Sequence, residues 1–279
     1  MDDKMRRTLY HIYMGLFLVY LLVPLALMGG AAFNDSKLPS VYPWKGLTNR
    51  WFVELWNDDT MWTSFANTIL VALAVVVMAV PIGTAAAILV NSISGRVRSV
   101  LYGVMVAPVL APGAVIGIST ILFWNKLNVP VGLHLSVMGQ VSYIAAFVML
   151  MVLARLQSFD LNLEEAALDL GATHGQVMRR ILLPHLYPAI GAGAAIAFFQ
   201  SIENFNITLF TRGRSQTLTV YVFSKVRSGV TPSINALALL LIIATLSAAL
   251  LYEVRRRRLA GIEAAREAEA RRAEEAGVL

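Results

Sequence analysis

The chain of 279 residues is 57% hydrophobic and only 14% charged, with a formal net charge of +6 and a mean hydropathy of +0.66. A water-soluble domain carries about a quarter charged residues, so a soluble globule is excluded. The lack of cysteine excludes disulfides, thiolate nucleophiles and cysteine-held metals.

The apolar residues fall into runs long enough to cross a bilayer, and six spans are predicted, at about 9–32, 64–90, 100–124, 135–154, 188–210 and 233–252. The first follows a basic start and resembles a signal peptide, but the run from Leu9 to Ala32 is longer than the usual apolar core of one. It is read as a retained span. The connection FNDSKLPSVYPWKGLTNRWFVELWNDDTMW is rich in tryptophan, proline and acids, and suits an outer face with aromatic anchors. The second span carries Pro81 and Gly83, and the fifth Gly191 and Gly193, residues that permit kinks and close helix approach. In the third, VAPVLAPGAVIGIS gathers Pro108, Pro112 and Gly113. That density marks either simple packing or a broken helix lining a pathway.

Between the fourth and fifth spans lies a loop, 155–187, that is charged and periodic. Leu163, Ala166, Ala167 and Leu170 recur at i, i+3, i+4 and i+7, one apolar stripe on a helix, with Glu164, Glu165 and Asp169 on its other faces. Gly171 stops this pattern. A second periodic stretch follows, with Val177, Ile181 and Leu182 on one side and Arg179 and Arg180 in its last turns, and Pro184 is expected to end it. The expected product is two short amphipathic helices. Such a pair either lies in the headgroup plane or offers a surface to another protein, and the small alanine face suits close approach by a protein. His174 and His185 in this loop show no metal-ligand pattern and are expected at the surface.

The fifth span contains Gln200, Glu203, Asn204 and Asn206 in otherwise apolar sequence. An ionisable residue inside a span normally faces a partner or a watery cavity, so Glu203 is the leading pathway candidate, with Phe199, Asn204 and Asn206 beside it. The alternative places Glu203 hydrated near the outer interface. Phe198, Phe199 and Phe205 form either an apolar gate, a cation-π wall or ordinary packing. Four basic residues, Arg212, Arg214, Lys225 and Arg227, lie between the last two spans.

After the sixth span come Arg255, Arg256, Arg257 and Arg258, and then an Ala/Glu/Arg-rich tail with acid-base pairs at helical spacing. A basic run at that point is a topology determinant rather than a nucleic-acid footprint. With the N-terminus inside, the cytoplasmic pieces hold 15 Lys and Arg against 8 in the outer loops, which puts both termini in the cytoplasm. The organisation is therefore a cytoplasmic start, 1–8, a six-span domain, 9–254, and a solvated tail, 255–279.

The loop also resembles a known motif. Glu165-Ala166-Ala167, then Gly171 after three residues, then Ile181 and Leu183-Pro184 after nine more match E-A-A-x3-G-x9-I-x-L-P at every fixed position. This is the EAA motif of ABC importer permeases. The stretch VYVFSKVRSGVTPSINALALLLI resembles the corresponding part of the spermidine/putrescine permease subfamily, and the similarity runs from about residue 10 to 255.

The resemblance implies an all-α membrane protein with the six-helix type I importer fold and cytoplasmic coupling helices, in the bacterial inner membrane. It implies that a cytoplasmic ATPase dimer holds ATP and magnesium. Toward that dimer Glu165 would make a polar contact, Ala166 and Ala167 would form the close-approach face with Asp169 nearby, and Gly171 would make the turn. Ile181 and Pro184 would anchor the second helix. A second, non-identical permease and a soluble binding protein complete the set, with Arg212, Arg214, Lys225 and Arg227 either docking the latter or attracting a phosphonate- or carboxylate-bearing solute. Members of the polyamine subfamily tend to carry acids at this point of the fifth span. This chain has Glu203-Asn204 rather than two acids, which counts against a polyamine. The implied cargo is therefore a small polar solute: a polyamine-like or related amine, a phosphonate or another organic solute. The chain has no G-x4-G-K-[ST] phosphate loop, so energy is expected from a partner.

Two other functional classes compete with this reading. A self-contained secondary transporter or channel needs coupling-ion acids or inverted repeats, and the spans offer little beyond Glu203. An intramembrane enzyme is disfavoured because no H-E-x-x-H, G-x-S-x-G or paired intramembrane aspartates occur.

Overall fold

A backbone surrounded by hydrocarbon has no water to bond its N–H and C=O groups, so lipid-facing apolar runs must close their hydrogen bonds internally. The computed structural model describes residues 3–229 and 231–275, and contains no strand among them beyond one isolated bridge between Asn34 and Leu47. The helices are α1 (Asp3–Phe33), α2 (Arg50–Trp56), α3 (Asp59–Ser92), α4 (Gly95–Leu110), α5 (Gly113–Lys126) and α6 (Leu133–Leu156). They continue with α7 (Asn162–Asp169), α8 (His174–Val177), a π-helical turn at Met178–Leu182, α9 (Leu183–Ile202), α10 (Asn206–Thr211), α11 (Leu218–Ser228) and α12 (Pro232–Glu275).

Five unbroken helical runs are long and apolar enough to cross a membrane: α1, α3, α6, His174–Ile202 and Pro232–Ile262. The predicted third span is instead the pair α4 and α5, bent by 106°. Ala111 and Pro112 are extended there, at ψ 136° and 133°. The ring of Pro112 disfavours the helical conformation in the residue before it, which turns a continuous apolar run into two helices. Counted as one span, the pair completes the six.

The fifth span also differs from expectation. Pro184 does not end the coupling segment; helix runs from His174 through Pro184 and Pro188 to Ile202. The π turn lies just upstream of Pro184, and Leu183 N–H donates to Met178 O five residues back. Such a widened turn re-satisfies backbone groups that a proline would orphan. At the far end the helix stops at Ile202, well short of Phe210, and restarts only at Asn206.

The chain divides into two compact units, one of Asp58–Ser224 and one of Met1–Asn57 with Lys225–Leu279. In the first, α3, α6 and α9 pack on one another around Val75, Ala79, Ile144, Val148, Met149 and Leu186, all fully buried. Lipid tails are as apolar as leucine, so such helices associate through close packing and polar bonds. Val148 of α6 fits where glycines leave room: a Cβ on Gly83 would lie 2.5 Å from Ala145 O and 2.7 Å from Val148 Cβ, and one on Gly193 would lie 3.2 Å from Val148.

In the second unit, α1 packs on α12 and α2, with Ala32, Trp51 and Ala236 buried. The Trp51 indole donates to Asn34 O at 2.9 Å. Asn34 is wholly buried, its amide donating to Ser40 O and Pro43 O while its oxygen accepts from Lys45 N–H. The predicted solvated tail is helical through Glu275, and Glu253 pairs with Arg256 at 3.4 Å and Arg257 at 2.7 Å. The last four residues of the tail lie outside the described ones.

Candidate functional site

Two places in the first unit gather the residues singled out from sequence: the loop around α7 and a cavity between α4, α5, α6 and α9.

Asp160 opens α7 by accepting Asn162 N–H at 3.0 Å, and Glu164 and Glu165 occupy its first turn, where negative charge suits the helix dipole. None of its residues is buried. Leu163 is 53% exposed and Leu170 90%, and Ala166, Glu165 and Asp169 are also exposed, with Ala167 half-buried. No residue among the described ones buries the apolar stripe.

Gly171 closes α7 at φ +84°, and a Cβ there would meet nothing within 4 Å. Gly171 N–H donates to Leu168 O at 2.9 Å and Ala172 N–H to Ala167 O at 3.0 Å, the paired bonds of a Schellman end. Thr173 and Gln176 then form a reciprocal capping box that starts α8. Val177 and Leu186 are buried and Leu182 packs on the core, whereas Ile181 is half-buried and Pro184 exposed. Leu182 and Leu186 thus pack this segment on the bundle, with Ile181 half-buried beside them. His185 is not a plain surface residue either. Arg155 Nε donates to His185 O at 3.2 Å, His185 Nε2 lies 3.4 Å from Arg155 O, and its ring meets Phe159. The two ends of the loop are tied together.

The cavity has a volume of about 410 Å³. It lies beside both helix breaks, with Pro108, Ala111 and Gly113 on one side and Gln200 to Ile207 on the other. Glu203, Asn204 and Asn206 all line it, and Glu203 is the only carboxylate among its described lining residues. Phe199 does not; it is 61% exposed and points elsewhere, as does Phe198, while Phe205, Tyr143 and Phe147 supply the aromatic wall. Gln200, its neighbour on the same turn of α9, lines the cavity, so Phe199 stands on another face of that helix.

The break itself is held by polar bonds that sequence reasoning missed. Gln140 is fully buried on α6; its oxygen accepts from Ser201 Oγ at 2.6 Å and its nitrogen donates to Thr208 Oγ1 at 2.9 Å. One amide therefore spans from the end of α9 to α10. One turn away, Ser136 and Thr211 hydroxyls meet at 2.8 Å, and on the other side Asn204 Nδ2 donates to Tyr143 Oη at 3.0 Å. Ser136, Gln140 and Tyr143 stand at i, i+4 and i+7, one stripe of α6. That spacing of polar residues in an apolar run was the available signal.

Of the four outer basic residues, Arg212 is half-buried and braces its own turn, donating to Ser215 O at 2.7 Å. The turn after α10 uses only part of the guanidinium, and Arg212 Nε is buried without a partner among the described residues. Arg214 is exposed, and Lys225 and Arg227 lie in the last turn of α11, the latter exposed. The segment between is latched to α3, where Thr68 Oγ1 accepts Leu218 N–H at 2.7 Å and Asp58 Oδ2 accepts from Tyr221 Oη at 2.9 Å. No group of three or more metal-ligating side chains occurs among the described residues.

Residues 79–260 match the family described as "Binding-protein-dependent transport system inner membrane component". The chain is 35% identical over 232 residues to the putrescine transport system permease protein PotI of Escherichia coli K12, covering 80% of this chain and 82% of that one. It is 28% identical over 235 residues to the spermidine/putrescine transport system permease protein PotC of the same strain, covering 84% and 88%. Its fold is similar to a chain of the bacterial ABC transporter involved in the import of the acidic polysaccharide alginate, with a TM-score of 0.72 at 16% identity, over 90% of this chain and 96% of that one. The bent third span, the open α7 stripe and the match over most of the chain agree, and the chain belongs to the inner membrane permease components of binding-protein-dependent ABC importers.

Proposed function

We propose that this permease carries a small cationic amine through the cavity beside Glu203, powered by a cytoplasmic ATPase that grips α7. The observation that carries the reading is the placement of Glu203, a lone carboxylate at the helix break of a cavity walled by Tyr143, Phe147 and Phe205. A carboxylate with aromatic faces suits an ammonium group by charge and by cation-π attraction. The polyamine permeases among its relatives support the same cargo class. The fold does not: a similar one serves an importer of an acidic polysaccharide.

The exposed stripe of Leu163, Ala166, Ala167 and Leu170, with Glu165 and Asp169 at its rim, is the surface for the ATPase dimer, which holds the ATP and magnesium. Gly171 sets the angle of that helix. The excess of Lys and Arg supports a cytoplasmic side for α7 and both termini. Arg214 and Arg227, with Lys225, meet acidic groups on a soluble binding protein, and a second, non-identical permease completes the membrane assembly. Extraction in mild detergent tests this: the chain is expected to bring an ATPase subunit and a second permease with it. A lone chain that moves amines into liposomes without ATP would overturn the reading.

A further inference from the structure

The direction of one hydrogen bond at the cavity wall carries information about the cargo. Asn204 Oδ1 accepts the backbone N–H of Ile207 at 3.1 Å. A backbone N–H can only donate, so the oxygen of the Asn204 amide must face it and the nitrogen must face Tyr143. Asn204 Nδ2 therefore donates to Tyr143 Oη at 3.0 Å, and the phenol acts as acceptor. Its own proton is not used in that bond, and no other hydrogen bond of the Tyr143 hydroxyl occurs among the described residues. Tyr143 lines the cavity together with Glu203. An aspartate at position 204 would do the reverse. Its carboxylate would accept from both Ile207 N–H and the phenol, which would take up the tyrosine proton and add a second negative charge.

We infer that Tyr143 is a specificity-determining residue: its O–H, turned free by Asn204, donates to an oxygen on the cargo, so the cargo is an amine that also carries a hydroxyl or carbonyl acceptor. This rests on the reading of the cavity as an amine site. Glu203 takes the ammonium group and Tyr143 takes the acceptor, so a plain diamine satisfies only the first. Gln140 serves this arrangement by fixing Ser201 and Thr208 on either side of residues 203–205.

The test uses the assembled importer in lipid nanodiscs without its binding protein, so that only the membrane site is read. Competition by saturation-transfer NMR gives dissociation constants for butylamine, 4-amino-1-butanol and putrescine. Wild type is expected to bind 4-amino-1-butanol about threefold to tenfold more tightly than butylamine, the range of one net hydrogen bond. Tyr143→Phe keeps the aromatic wall but removes the O–H, and brings that ratio to about one, with assembly of the importer read separately by gel filtration. Asn204→Asp also removes the ratio, and tightens putrescine instead. Should Tyr143→Phe fail to assemble, Asn204→Asp carries the same readout. A wild-type ratio near one, with binding still lost in Glu203→Gln, overturns this inference and leaves the amine site standing. A ratio that survives Tyr143→Phe overturns it as well. Binding of no amine, or binding indifferent to Glu203→Gln, overturns both.

Discussion

Replacing Gly171 by valine separates the backbone conformation of the coupling turn from its packing. A Cβ at this position meets nothing within 4 Å, so the only penalty comes from φ +84°. Holding a side-chain-bearing residue in that left-handed region costs about 1–3 kcal/mol, and a β-branched residue belongs at the upper end. The helix it closes has eight residues, buries none of them, and depends on the two bonds from Gly171 and Ala172 for its end. Helices so short are marginal by themselves, so the penalty shifts the ordered population of α7 by roughly fivefold to a hundredfold. The assay is amine-stimulated ATP hydrolysis by the reconstituted importer, beside the amount of permease in the membrane. Hydrolysis linked to transport is expected to fall by that factor, with normal insertion. Gly171→Asn, which tolerates the left-handed region, should recover most of it. Wild-type coupling in Gly171→Val would refute the assignment of this turn to energy transfer.

Leu163 and Leu170 are 53% and 90% exposed, so Leu163→Ser with Leu170→Ser should leave thermal stability within about 0.5 kcal/mol. The same pair should weaken retention of the ATPase during purification. Gly83→Ala places a Cβ against Ala145 O and Val148, and is expected to destabilise the bundle by about 1–3 kcal/mol, read as a lower unfolding temperature in detergent. Gln140→Leu strands the buried hydroxyls of Ser201 and Thr208 and should cost about 1–3 kcal/mol. Adding Ser201→Ala and Thr208→Val should return part of that loss; no recovery in the triple variant counts against the clasp across the helix break.

The spans were legible because hydropathy and helix length are local properties of the chain. So was α7, whose stripe and glycine end lie within nine residues of each other. Pro184 was misleading, because a π turn lets a helix pass a proline and periodicity alone does not announce one. The apolar run through Phe210 hid the stop at Ile202, although Asn204 stood ready to accept Ile207 N–H. The role of Gln140 is not local to its own stretch of sequence. Its partners are 61 and 68 positions away, and only the packing of α6 on α9 and α10 brings them together. The charge of Arg212 is visible in sequence, whereas the carbonyl of Ser215 that accepts from it is not. The density of proline and glycine at 108–113 left simple packing and a break equally open, and the extended backbone at Ala111 and Pro112 decides for the break.

Passage of an ammonium group by Glu203 under the drive of ATP is read in proteoliposomes holding the permease, its partner subunits and saturating binding protein. The measurement is the initial rate of ATP-dependent uptake of labelled putrescine and 4-amino-1-butanol, for wild type and Glu203→Gln. Loss of one charge-assisted bond is worth about 1.5–3 kcal/mol, so uptake of both amines should fall roughly tenfold to a hundredfold while the complex still assembles. Uptake at the wild-type rate in Glu203→Gln would contradict the account.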